Sequence, residues 1–210
     1  MGMHNGVEYA VGERVVGQML RDVIGTQLNA DQYLTRLRVL VNAVSRAHEA
    51  GIAIGDISGS TILCERDGRM VLGRLSLSQI PAFGPLGQIL APEVVRGEAE
   101  ATDPASAEAI DLYGLGCIAI EMARGAPPFA IDLQTGEPAP KEAELRGHAH
   151  SPPPRLADLR PDLPSELSDL VEWLLAKQPF ARPPSAREVS AVVETIIERI
   201  GMGTRSIRIL

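Results

Sequence analysis

A mainly α chain, α+β overall, with helices around a central buried helix and one small β-hairpin, is the fold class this sequence predicts. Three observations predict it. Apolar residues recur at spacings of three and four through most of the length. Residues 110 to 124 are apolar or small around a whole helix circumference, with only Asp111, Glu121 and Arg124 charged. One stretch, Thr61 to Leu72, instead carries two short apolar runs split by the polar turn Arg66-Asp67-Gly68-Arg69.

Taken in order, Met1 to Gly6 read as an appended remnant or tail, and the organised chain as residues 7 to 200. Leu34, Leu37, Leu40, Val41, Val44 and Ala47 make residues 30 to 50 an amphipathic helix. Asn29 with Gln32 has the spacing of a capping box, and Gly51 suits the left-handed residue that ends such a helix. The hairpin follows, then the all-round apolar helix. Residues 132 to 164 hold seven of the 16 prolines, so they read as loops around at most one short helix near Lys141 to His148. Leu167, Leu170, Val171, Leu174 and Leu175 mark another helix, with Trp173 expected in the core, and Val189, Val192, Val193, Ile196 and Ile197 mark a last one. Residues 201 to 210, with two glycines at their start, read as a flexible tail.

Composition excludes several functions. Hydrophobic residues are 45% and charged residues 22% of the 210, ordinary soluble usage that leaves no room for disorder or collagen-like repeats. A chain of this length can bury roughly 70% of its unfolded surface. Its charge of −7 comes without a basic block, so nucleic acid is not an expected partner. The longest uncharged apolar run, Leu112 to Ile120, is far short of the roughly 20 residues of a membrane span, and no signal pattern precedes it. Membrane insertion is therefore not expected. Cys64 and Cys117 lie far apart without CxxC spacing, which fits a reduced, cytoplasmic chain. His148 and His150 are two residues apart and miss the i, i+4 helical zinc pattern.

A set of short segments, in order, resembles a known family. They are Ala47-His48-Glu49-Ala50-Gly51-Ile52, Asp56-Ile57, Ile62-Leu63, Ala91-Pro92-Glu93 and Asp111-Leu112-Tyr113-Gly114-Leu115-Gly116, then Gly125-Ala126-Pro127-Pro128-Phe129, Leu174 to Pro179 and Arg182-Pro183. Together they resemble the C-terminal lobe of eukaryotic-like Ser/Thr protein kinases, particularly bacterial ones. The resemblance implies structural roles for three residues. Glu93 and Arg182 stand where the family makes a buried ion pair, and Asp111 where its aspartate accepts bonds from the catalytic-loop backbone.

The same resemblance implies that the chemistry is degenerate. The catalytic loop matches Ile54 to Thr61, and only the base, Asp56, is retained, as a vestige. Ile54 and Gly55 replace a histidine and an arginine, Ser58 replaces a lysine, and Thr61 replaces a metal-binding asparagine. The metal-binding aspartate motif falls on Arg74-Leu75-Ser76, and a guanidinium cannot coordinate a metal. No glycine-rich loop precedes the hinge-like Val7-Glu8-Tyr9, and no lysine precedes Lys141. The expectation is therefore a catalytically inactive pseudokinase, a scaffold with no cofactor and no metal. The alternative is an enzyme of unorthodox chemistry completed by a missing N-terminal lobe.

Lysine-poor usage, with only Lys141 and Lys177, resembles that of high-GC actinobacteria. Those organisms attach such a domain to a peptidoglycan-precursor flippase, at the inner face of the plasma membrane. The resemblance then implies a true Ser/Thr kinase and a forkhead-associated domain protein as partners, in cell-wall control. Thr204, with Ile207 three residues on, is the candidate phospho-acceptor.

Overall fold

Local signals and tertiary packing coincide best in the first long helix. The computed structural model describes residues 2–4, 7–9, 15–24, 28–65, 69–72, 91–99, 104–132 and 134–205. Three short strands come first: β1 (Gly2–His4), β2 (Val7–Tyr9) and β3 (Gly17–Met19), followed by the one-turn helix α1 (Leu20–Val23). β1 pairs antiparallel with β2, so Gly2 to His4, read from the sequence as part of a tail, form a strand. α2 (Ala30–Glu49) opens on a complete capping box: Asn29 accepts from the Gln32 N–H and the Gln32 side chain accepts from the Asn29 N–H. Gly51 follows its end with φ 73°, a conformation that costs glycine nothing sterically.

β4 (Ile62–Glu65) and β5 (Met70–Leu72) form the hairpin, and β3 joins its other edge in the order β3-β4-β5, antiparallel throughout. The register places Gly17 opposite Glu65 and Cys64 opposite Met70. After the short helix α3 (Pro92–Val95) comes α4 (Pro104–Arg124), then α5 (Lys141–His150), α6 (Leu156–Leu159), α7 (Ser165–Leu174) and α8 (Ala186–Arg205).

α4 is buried around its circumference, with Ile110, Leu112, Leu115, Ile118, Ala119 and Ile120 all within the core. α2 supplies Leu34, Leu37, Leu40, Val41 and Val44, α7 supplies Leu167, Leu170, Val171 and Leu174, and α8 supplies Val189, Val193 and Ile196. Burying so polar a backbone is possible because a helix satisfies its own N–H and C=O groups. The Tyr33 hydroxyl adds one cross-link, donating to the Ala119 carbonyl at 2.7 Å.

Further expectations change: residues 132–164 hold α6 as well as α5, where at most one short helix was expected. Trp173 is 37% exposed, because the core face of α7 is filled by the leucines and Val171 on the opposite side. α8 continues through Gly201 and Gly203 to Arg205, so Thr204 sits in helical backbone where a tail was expected from residue 201. Ile197 and Ile200 pack against the core, and that anchoring offsets the roughly 1 kcal/mol each glycine costs a helix. Arg74, Leu75, Ser76 and Ile207 lie outside the described residues.

Candidate functional site

The loop between α2 and β4 is shaped by one carboxylate beneath it. Asp111, fully buried on α4, accepts the Ile54 N–H at Oδ2 and the Gly55 N–H at Oδ1, each at 2.7 Å. Its Oδ2 also lies 2.9 Å from His48 Nε2. Hydrogen bonds to a charged acceptor are about twice as strong as neutral ones, so this aspartate fixes the loop backbone and the end of α2 together. Gly55 turns the chain with φ 74°. Asp56 follows at once, buried with 9% exposure.

The far side of the loop closes on itself. Thr61 Oγ1 accepts the Ser58 N–H at 3.0 Å and donates to the Asp56 carbonyl at 2.8 Å, with the Ser58 carbonyl at 3.0 Å. The Ser58 and Ser60 hydroxyls are hydrogen-bonded to each other at 2.8 Å. Gly59 packs against the Glu121 carboxylate with no space for a Cβ. Burial pushes the Glu121 carboxyl up, opposed by the charge of Arg21 and by the Gly59 N–H bonded to it. A cavity of about 60 Å³ results, lined by Arg21, Asp56, Ser58, Ser60, Glu121 and His148 among others.

Under the cavity, His148 Nδ1 meets the Tyr113 hydroxyl at 2.9 Å. Burial, with the charges of Lys177 and Lys141, holds this imidazole down to about 3, so it is neutral at physiological pH. The Lys177 ammonium donates to the Gly147 and His148 carbonyls at 3.1 and 2.8 Å, which caps the C-terminal end of α5. Deeper still, Glu93 and Arg182 pair in bidentate fashion at 2.7 and 2.8 Å, with their side chains 3% and 0% exposed.

The structure therefore brings Ile54, Gly55, Asp56, Ser58, Thr61 and Asp111 into one locus and sets Glu93 with Arg182 beneath it. His48, near the end of α2, is Asp111's partner across 63 positions, a contact no local spacing encodes. Glu121 is marked in the sequence itself as the only carboxylate in the C-terminal half of α4. A buried carboxylate in so apolar a helix usually serves a defined partner.

The resemblance to kinases implies magnesium. Thr61 is 4% exposed, its hydroxyl is engaged with three loop backbone groups, and a neutral hydroxyl is a weak ligand for a hard dication. Among the described residues no group of three His, Cys, Asp or Glu side chains could hold a metal. The described residues do not fit a magnesium ion bound through Thr61.

The protein kinase domain pattern matches residues 5–192 of this sequence. The chain belongs to the protein kinase domain family. A probable serine/threonine-protein kinase of Corynebacterium efficiens is 28% identical, over 90% of this chain and 29% of its own length. One of Streptomyces coelicolor is 26% identical, over 91% and 28%. The serine/threonine-protein kinase PknJ of Mycobacterium tuberculosis is 30% identical, over 71% and 26%. This kinase domain thus spans less than a third of the length of these relatives.

These findings correct the functional expectation. The expectation of inactivity rests on the absent glycine-rich loop and strand lysine and on Ile54, Gly55, Ser58, Thr61 and Arg74, yet the kinase pattern covers nearly the whole chain and its relatives are named as kinases. The reading of the domain as a non-enzymatic scaffold is overturned with it. The physical reason lies in what the substitutions touch. Ile54, Gly55, Ser58 and Thr61 change the side chains of the loop, whereas the backbone path that presents Asp56 depends on Asp111, which is retained.

Proposed function

We propose that this kinase domain transfers a phosphoryl group to Ser or Thr hydroxyls of protein substrates, with Asp56 accepting the hydroxyl proton. The observation that carries the reading is the placement of Asp56: it borders a small cavity, on a loop held by two charge-assisted bonds to Asp111. Catalysis of phosphoryl transfer rests on positioning and on charge stabilisation, and a carboxylate held this way supplies the first. The phosphoryl donor supplies the group transferred. The chain's own residues hold the loop, with Asp111 and Thr61 on either side, and exclude water from the cavity floor with Ile57 and Tyr113.

On this reading the chain is the C-terminal lobe and works in the cytoplasm. Among the described residues no helix is long and apolar enough to cross a membrane, so membrane attachment, as in a peptidoglycan-precursor flippase, would come through a parent protein. Thr204 is proposed as a site for a second Ser/Thr kinase, read by a forkhead-associated domain after the last turn of α8 unwinds.

Phosphate transfer from radiolabelled ATP to a mixed Ser/Thr peptide library, with Asp56→Asn as control, tests the proposal. General-base removal is expected to lower the rate by about 10²–10⁴-fold. Equal rates for the two proteins would overturn it.

A further inference from the structure

Of the carboxylates that line the cavity beside Asp56, the other two are already engaged. Glu121 accepts the Gly59 N–H and is pushed up by burial, and Glu144 pairs with Lys141 Nζ at 3.0 Å. His148 is neutral, held down to about 3 by burial. Among the described residues around the cavity that leaves a single cation, Arg21 on α1. Phosphoryl transfer needs positive charge where the oxygens of the moving group gather. The loop itself offers none, because Ser58 stands where the family has a lysine and Thr61 does not fit a magnesium ion.

Backbone bonding places Arg21. Its N–H donates to the Gly59 carbonyl at 2.9 Å, and Gly59 is seated on the Glu121 carboxylate with no space for a Cβ. The Arg21 backbone is therefore fixed to the loop three positions beyond Asp56. Arg21 is exposed and makes no ion pair with a described residue, yet its charge acts on Glu121 inside the cavity. The cavity's volume, about 60 Å³, admits a few waters, so a phosphoryl group enters it and a whole nucleotide does not.

We infer that the Arg21 guanidinium is the cation that meets the transferring phosphoryl group, in place of the lysine that Ser58 replaces. This rests on Asp56-assisted transfer being the reaction of the domain. The substrate hydroxyl gives its proton to the Asp56 carboxylate while its oxygen bonds to the γ-phosphorus of a nucleoside triphosphate. The bond from that phosphorus to the bridging oxygen breaks, and nucleoside diphosphate leaves with the electron pair. Arg21 donates to the oxygens of the group in transit, and its planar fork can engage two of them at once.

The test is transfer from radiolabelled ATP to one Ser/Thr peptide by the wild-type chain, Arg21→Ala, Arg21→Lys and Asp56→Asn. Arg21→Ala keeps the backbone bond to Gly59, and its urea midpoint should match that of the wild type. Its kcat should fall about 10²–10³-fold with little change in the peptide KM, and Arg21→Lys should retain part of the rate. Methylguanidinium added to the assay should restore part of the kcat of Arg21→Ala and none of that of Asp56→Asn, an outcome that a merely structural arginine would not give. Wild-type kcat in Arg21→Ala beside a slowed Asp56→Asn would overturn the role of Arg21 alone. So would a loss that neither Arg21→Lys nor methylguanidinium relieves. Transfer by Asp56→Asn at the wild-type rate, or no transfer by the wild type, would instead overturn the Asp56 reading and this inference with it.

Discussion

Arg182→Ala should be among the most destabilising single substitutions in this domain. The guanidinium makes four polar contacts: two to Glu93 at 2.7 and 2.8 Å, one to the Ala109 carbonyl at 2.7 Å and one to the Ala176 carbonyl at 3.0 Å. It also lies 5.0 Å from the Tyr113 ring centre, a cation–π distance. Truncation leaves Glu93 charged and buried, which costs roughly 3–5 kcal/mol. Two carbonyls lose their donor as well, which places the expected cost at the upper end of that range. For a chain of this size, 5 kcal/mol corresponds to roughly 10–20 °C in Tm.

The assay is urea unfolding, with Arg199→Ala as control, because Arg199 is 64% exposed and reaches Glu166 only at 3.5 Å. That exposed pair should contribute under about 1 kcal/mol. Glu93→Gln should fall between the two, since Arg182 keeps both carbonyls and the Tyr113 face. The double variant Glu93→Leu/Arg182→Met should recover part of the loss, because it leaves no buried charge. If Arg182→Ala unfolds within 1 kcal/mol of Arg199→Ala, the pair does not hold the lower core as argued.

Three further outcomes are expected. Asp111→Asn places an amide where three donors converge, so it should cost roughly 1–3 kcal/mol and speed hydrogen exchange at Ile54 and Gly55; unchanged exchange there would remove Asp111 as the loop's anchor. His148 titrates at about 3 in the folded chain against an ordinary 6.5, so between those pH values the unfolded chain binds a proton that the folded chain does not. Stability should therefore fall on acidification through that window, by up to roughly 1.4 kcal/mol per pH unit, and His148→Phe should flatten the slope of urea midpoint against pH. Gly147→Ala should destabilise by roughly 1–3 kcal/mol although alanine favours helix, because the new Cβ would lie 2.6 Å from the Phe129 ring. Gly201→Ala, with nothing within 4 Å, should stabilise slightly, and equal Tm shifts for the two would refute the packing argument.

What the sequence determined by itself was what neighbours along the chain can decide. Asn29 and Gln32 cap α2 with atoms three residues apart, and the hairpin turn joins β4 and β5 across four residues, so both are written locally. The all-round apolar run of α4 announced a central helix because only full burial accommodates it. Kinase membership was legible too, since short motifs in a fixed order survive where single residues drift.

The tertiary structure decided what depends on contacts between distant segments. β3 is three residues long and exists because β4 offers it an edge, a pairing that propensity cannot signal. His48 and Asp111, Tyr113 and His148, and Glu121 under Gly59 each join residues at least 35 positions apart. The exposure of Trp173 was settled by which face of α7 the leucines fill. One nitrogen of Arg36, on the amphipathic helix α2, is buried by the tertiary fold. Burial is a property of the whole chain's packing, and local pattern constrains it only where one face is plainly apolar.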